Sequence, residues 1–328
     1  MEKLSSSTTS HVLKIWEIEK KSRQSRIDKA NNINSSNSDG LLKTNFQHQT
    51  EIDSQANFFI PNFSLSGLRD SRSFMDLAIF RLSKTQKRPG EILRYKIPFG
   101  YVEISSGPHG MASIWDYDIF IMMASHLTEA INLYKKGKAS KPSRIFTPTA
   151  SDILNFCQKG DGSRQYHALE AALSRLQGTI IKIVHEKPSD KVSTIREAES
   201  EGLIGYFRVI SRTNTGYVKQ IEIEAPNWLY QEITHGKQPK VLKIHPDYFL
   251  VPNAIGKFIY RFARLRAGPN KATWSFKNIY VQSGSTATFK RFISNLRKLI
   301  SANNLPEYSL KEIKGKNGEP MLEMTKRK

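Results

Sequence analysis

The amino-acid sequence predicts an α+β protein made of two tandem winged-helix domains behind a disordered N-terminal arm. Three observations predict it. Residues 1–57 are rich in Ser, Asn, Gln and Lys, with NNINSSNSDG at 31–40, and carry too little apolar surface to fold. Beyond them the order helix, turn, helix, β-hairpin occurs twice, which is the element order of a winged helix. The last helix of the second run, STATFKRFISNLRKLI at 285–300, keeps apolar and basic residues on opposite sides. The expected boundaries are 1–57 for the arm, 58–225 for the first domain and 226–328 for the second. The repetition is architectural, because the halves share no aligned sequence identity.

Within the arm a short helix is expected at Val12–Lys21, and ordered structure should begin at FFIPNFSL, 58–65. IFRLSK, ILRYKI and YVEI read as short strands between 79 and 104, with KRPG at 87–90 as a turn. A helix follows over WDYDIFIMMASHLTEAINLYKKGK, with Asp116 or Asp118 as N-cap and Gly137 as its stop. TPTASDILNFC at 147–157 is a short helix, KGDGS at 159–163 a turn, and RQYHALEAALSRLQG at 164–178 the next helix. That helix should bury Ala168, Leu169, Ala172, Leu173 and Leu176. TIIKIV at 179–184 alternates like a strand, a polar stretch covers 185–202, and IGYFRVI and GYVKQIEIEA are two further strands.

The second half opens with a short helix at PNWLYQEI. A long amphipathic helix, PNAIGKFIYRFARLRAG at 252–268, then stops at Gly268-Pro269. WSFKNIYVQSG at 274–284 is a short helix ending at Gly284, and 285–300 follows with Ser285 as N-cap. YSLKEIKGKNGEPMLEMT at 308–325 is a hairpin with a basic, Gly-rich turn.

Charge says what these helices meet. The chain has 328 residues and 50 Lys+Arg against 30 Asp+Glu, a net of +20. From Lys240 onward there are 18 cationic and 5 acidic residues, a net of +13, so the C-terminal quarter carries most of the excess. A concentrated positive field seeks a polyanion, and nucleic acid is the commonest in cells. An anionic membrane fits less well, since the apolar face of 285–300 lacks Trp and runs into a strand-like segment. The single Cys157 allows no intrachain disulfide, the N-terminus has no continuous apolar run of signal-peptide type, and IFIMMA at 119–124 is too short to span a bilayer. A reducing, cytoplasmic setting without membrane attachment is expected.

On a helix of 3.6 residues per turn, with Lys290 at zero, the cations of 285–300 fall at roughly 340° to 100° and the apolar residues at roughly 180° to 300°. The last helix of a helix-turn-helix unit needs such faces, one for its partners and one for the major groove. The candidate contacts are Lys290, Arg291, Arg297 and Lys298 to phosphate or guanine, with Ser285, Thr286 and Thr288 as hydroxyl donors. Ser294, in mid-face, is small enough to let the DNA backbone approach. Lys311, Lys314 and Lys316 would form a wing on the phosphates. In the first domain Arg164, His167, Ser174 and Arg175 face outward for groove contact, with dimerisation as the competing role. Arg261, Arg264 and Arg266 suit either phosphate or a carboxylate partner. Trp115 and Trp274 read as core anchors.

Several stretches resemble the plasmid replication initiator protein A family: FRLSK (80–84), ASIWDYDIFIMMASHLTEAIN (112–132), GSRQYHALEAALSRLQGTIIK (162–182), IYRFARLRAG (259–268), QSGS (282–285) and LPEYSL (305–310). They occur in consistent order from Phe58 to Met324. Family members often carry a Lys-His pair after the FAR segment, where this chain has Leu265-Arg266 and keeps the charge. The resemblance implies a bacterial initiator that binds repeats in double-stranded plasmid origin DNA, helps open the duplex and recruits host replication initiation proteins and helicase. It also implies self-association as a dimer. A transcriptional repressor without a replication role is the neighbouring alternative, and an origin-nicking enzyme the more distant one.

Enzyme chemistry finds little support. None of the Gly-Lys pairs at 137, 236, 256 and 315 is followed by Ser or Thr, so no P-loop is present. A nickase of the His-pair type needs two close histidines on one strand, and no two of the eight histidines here are two residues apart. His167 reads as an exposed polar residue, and Asp116 and Asp118 as helix-capping groups rather than metal ligands. The expectation is a non-enzymatic protein with no cofactor and no metal.

Overall fold

The longest helix, α1 (Tyr117–Lys135), is buried on nearly every side from Tyr117 to Ile131, as its all-round apolar sequence requires. The first half is assembled on it. The computed structural model describes residues 2–3, 57–97, 100–160, 162–187, 195–212, 214, 218–235 and 239–328. The expected arm, with its helix at 12–21, lies outside them except for Glu2, Lys3 and Asn57. Glu2–Lys3 (β1) pairs in parallel with Tyr95 and Lys96.

Two short segments far apart in sequence clasp beside α1. Arg69–Ser71 (β2) runs antiparallel to Val241–Lys243 (β10), with Asp70 opposite Leu242. Next to them the Ser71 and Ser73 hydroxyls each donate to the buried Glu232 carboxylate at 2.8 Å. Burial pushes that carboxyl up to about 7 even though both hydroxyls favour its anion.

Ile92–Ile97 (β3), Gly100–Ser106 (β4), Thr179–Lys187 (β6) and Ile195–Gly202 (β7) pair antiparallel in a sheet of order β1-β3-β4-β6-β7, in which only β1 is parallel to its neighbour. A second sheet, β5-β9-β8, uses Ile145–Phe146 (β5), Phe207–Arg212 (β8) and Val218–Glu224 (β9). Between β5 and β8 lie α2 (Ala150–Phe156), α3 (Ser163–Gly178) and the β6–β7 hairpin. A capping box of Thr149 and Asp152 starts α2. The helix α4 (Asn227–Thr234) has no side-chain cap of its own. The Glu201 carboxylate on β7 accepts instead from the Asn227 and Trp228 amides, at 2.8 and 3.3 Å. His126 on α1 sits against Phe59, Phe63, Phe146 and Phe156, accepts from the Ile60 amide at 3.1 Å, and is lowered by burial to about 4.

The second half runs α5 (Ala254–Arg266), β11 (Lys271–Ser275), α6 (Phe276–Gln282), α7 (Phe289–Ala302), β12 (Tyr308–Lys314) and β13 (Pro320–Lys326). Its sheet order is β11-β13-β12, all antiparallel. The chain is therefore a mixed helix-and-sheet protein: in the first half a helix, a strand and two helices are followed by four strands, with β5 paired to β9, and in the second by two, with β11 paired to β13. Among the described residues no helix is long and apolar enough to cross a membrane.

Several details differ from the sequence reading. IFRLSK forms no strand beyond an isolated bridge from Arg81 to Ser113, because Leu77–Phe80 sink into the core and the Arg81 guanidinium turns to the Met111 carbonyl. The polar stretch at 185–202 contains β7, which lies at a sheet edge and needs no apolar face. β11 precedes α6 where only a helix was expected. Ala168 is exposed rather than buried.

The halves meet through buried charge, which settles the role of two of the three arginines left open by the sequence. Arg261 donates to Asp70 at 2.6 Å, and Arg266 pairs with Asp76. Lys257 reaches both oxygens of Asp118 at 2.8 and 2.7 Å. Asp118 therefore serves as an ion-pair partner rather than an N-cap. Arg261 also lies over the Phe80 and Tyr117 rings, and the Tyr117 hydroxyl donates to Asp70 at 2.9 Å. Arg264 donates to the Lys243 carbonyl at 2.6 Å. The QSGS turn completes the contact: Arg88 donates to the Gly284 carbonyl at 2.8 Å, and Thr286 bonds Gln86. Gly284 has φ +55°, and a Cβ there would lie 2.5 Å from that of Ala78, so only glycine fits the turn.

Candidate nucleic-acid interface

α7 begins where Thr288 accepts the Arg291 amide, and it ends at Asn303 in the left-handed region. Thr288 rather than Ser285 is thus the N-cap, and Ser285 and Thr286 belong to the preceding turn. Phe292, Leu296 and Leu299 are buried against the rest of the second half, with Ile293 and Ile300 half-buried beside them. Lys290, Arg291, Ser294, Arg297 and Lys298 are all exposed. The two faces are opposed, as the spacing requires. Phe289 departs from the pattern: it is exposed and leans on Tyr280, with ring centroids 5.2 Å apart.

The four cations are not equivalent. Lys290, Arg291 and Lys298 have no carboxylate within ion-pair distance among the described residues. Arg297 does: its Nε and Nη2 donate to the two oxygens of Glu312 on β12, at 2.9 and 2.8 Å. The hydrogen bonds from Arg297 hold the Glu312 carboxyl below its usual range. Lys311, Lys314 and Lys316 are exposed along β12 and its turn, where Gly315 and Glu319 close the hairpin by a 2.8 Å backbone bond.

On α3, Arg164 and His167 are exposed at the N-terminal end. Ser174 is half-buried and bonds back to the Glu170 carbonyl at 3.1 Å. Arg175 is turned inward, contrary to the sequence expectation. Its Nε and Nη2 grip Asp116 at 2.8 and 2.9 Å, and the same carboxylate accepts the Ser113 amide. Asp116 is thereby an anchor for α3 at the start of α1, and its side chain makes no forward cap.

Beside α7 the structure reveals polar groups that the sequence reading missed. A cleft of about 530 Å³ is lined by Lys84 and Trp115 from the first half and by Asn295 and Lys298 from α7. Lys84 lies over the Trp115 ring, 4.7 Å from its centroid, and Lys159 donates to the Trp115 carbonyl at 3.0 Å. Trp115 is half-buried at the margin of the core, and Trp274 packs edge-on against Phe262. The one sequence signal for this cleft was Lys84 within FRLSK. Nothing in local spacing links that residue to Lys298. Among the described residues no three His, Cys, Asp or Glu side chains converge as metal ligands.

Residues 69–310 match the model of the family described as replication initiator protein A. A protein of Wigglesworthia glossinidia brevipalpis, described as a candidate replication protein, is 33% identical over 261 residues, covering 77% of this chain and 88% of the relative. Two crystal structures of domains 2 and 3 of RctB share the fold. The selenomethionine form has a TM-score of 0.56 at 12% identity, covering 78% of this chain and 98% of that one. The other has a TM-score of 0.51 at 11% identity, covering 76% and 95%.

Proposed function

Because the chain belongs to the replication initiator protein A family, we propose that it binds repeats in plasmid origin DNA sequence-specifically as a duplex. In this reading both halves are winged helices, α7 is the recognition helix of the second, and β12–β13 is its wing. One observation carries the reading. Three cations and Ser294 stand exposed on one face of α7 while its other face is locked in the core.

The mechanism follows from that geometry. Lys290, Arg291 and Lys298 neutralise phosphates and set the register, with Lys311, Lys314 and Lys316 on the flanking backbone. Thr288 donates to a phosphate at the helix start, while the Thr286 hydroxyl is engaged with Gln86. Lys84 and Lys159 extend the positive surface across the cleft toward Arg164 and His167 on α3. Binding along successive repeats strains an adjacent A·T-rich duplex and favours its opening. Self-association as a dimer and recruitment of host initiation proteins and helicase belong to the same proposal.

The test is a footprint on DNA flanking the protein's own gene. Protection of tandem or inverted repeats beside an A·T-rich segment is the expected result. Uniform, sequence-independent protection would overturn the reading. A relaxed product from supercoiled plasmid in Mg²⁺ would replace it with a nicking activity.

A further inference from the structure

The pairing of Arg297 with Glu312 on α7 is unlike that of Arg175 with Asp116 on α3. The Arg175 side chain is only 16% exposed and its Asp116 partner 7%, so that pair is a structural pin. Arg297 is 55% exposed and Glu312 33%, on the surface proposed to face DNA. A carboxylate there repels a polyanion, and an exposed ion pair adds little stability. Its presence asks for another role.

The atoms involved suggest one. Glu312 takes Nε and one hydrogen of Nη2, the side edge of the guanidinium. A guanidinium has five N–H donors in a fixed plane, so the end edge, formed by Nη1 and the second hydrogen of Nη2, keeps its donors. That edge matches the O6 and N7 acceptors of guanine in the major groove. We propose that Glu312 is a positioning residue that holds Arg297 in the orientation for reading one guanine of the bound site. The partner pair spans α7 and β12, so the hairpin orients the helix's base-reading side chain. Among the described residues Lys290, Arg291 and Lys298 have no such partner, and they act on phosphates. This assignment rests on the duplex-binding reading above.

The experiment selects binding sequences from duplexes with a randomised core, using the full chain and its Glu312→Ala, Glu312→Gln and Arg297→Lys variants. Each variant is first shown to melt like the parent. The wild-type protein should fix a guanine at one position, and Glu312→Ala and Arg297→Lys should lose about tenfold or more of that preference. Glu312→Gln, which keeps the shape without the charge, should lose part of it. Affinity of Glu312→Ala for a mixed-sequence duplex should stay level or rise, since a negative charge is gone. Replacing the fixed guanine by 7-deazaguanine should weaken the wild type and leave Glu312→Ala unaffected. If Glu312→Ala gains affinity for all duplexes equally with every base preference intact, Glu312 is only a repulsive charge and the proposal falls. If the wild type selects no sequence at all, the duplex-reading function falls with it.

Discussion

Arg261 and Asp70 meet at 2.6 Å with both side chains fully buried, although 191 residues separate them in the chain. Neither is fit for such a place alone. Together with Tyr117 and the Phe80 ring they form a buried charged contact between the halves. Burial lowers the Arg261 guanidinium, but the charge and hydrogen bond of Asp70, together with Tyr117 and Tyr248, outweigh it and raise the group.

Removing one partner should therefore be costly. Asp70→Ala leaves Arg261 buried and uncompensated, at about 3–5 kcal/mol of unfolding free energy. A double variant, Asp70→Leu with Arg261→Met, should be less destabilised than Asp70→Ala alone. Urea unfolding of the three proteins checks the order, and a double variant worse than the single would refute it.

Lys290 and Arg291 should act on affinity without touching stability. Replacing both by Ala should reduce the slope of log K against log salt by about 0.9 for each phosphate no longer neutralised. The melting temperature should not move, because both side chains are exposed. Fluorescence anisotropy with a labelled duplex over a salt series reads the slope. An unchanged slope removes both residues from the interface.

Leu296 lies on the opposite side of the same helix and is fully buried. Leu296→Ala should cost about 2–5 kcal/mol through reduced burial and the cavity left behind. Ser294→Ala, two residues away on the exposed face, should be within about 0.5 kcal/mol of the parent. Equal melting of both variants would mean the helix is faced wrongly.

Glu232 gives a pH signature. The unfolded carboxyl ionises near 4.5, whereas the folded one holds its proton to about 7 through burial. The folded state thus binds more protons in this window, so the group's stabilisation is complete below about pH 4.5 and lost as pH rises through 7. His126 has the opposite sign: lowered by burial from 6.5 to about 4, it costs stability as pH falls across that range. The difference between Glu232→Gln and the parent isolates the first effect. It should move by about 3 kcal/mol in favour of the variant between pH 4.5 and 8. A difference that stays flat with pH would show that Glu232 ionises normally.

Much of this was legible in the sequence. The two faces of α7 follow from side-chain spacing alone, because a helix that docks on a core must separate them. The order of the helices and the last hairpin of the second half followed from periodicity and from the stops at Gly268 and Gly284, although β11 did not. What escaped depended on distant partners. β7 reads as polar loop because its edge position asks nothing apolar of it. Asp116 reads as a cap until α3 delivers Arg175 to it. Arg297 reads as a free cation until β12 places Glu312 alongside. Lys257, Arg261 and Arg266 sit on a helix whose pattern reveals cations but not the three carboxylates, 139 to 191 residues away, that receive them.

Those three carboxylates also limit how far the halves are interchangeable. A chimaera that grafts the last third of a relative onto this front portion inherits Asp70, Asp76 and Asp118 already sealed from water. Unless the graft supplies matching cations at 257, 261 and 266, its seam carries three unanswered charges, whatever the fit of its DNA-facing helix.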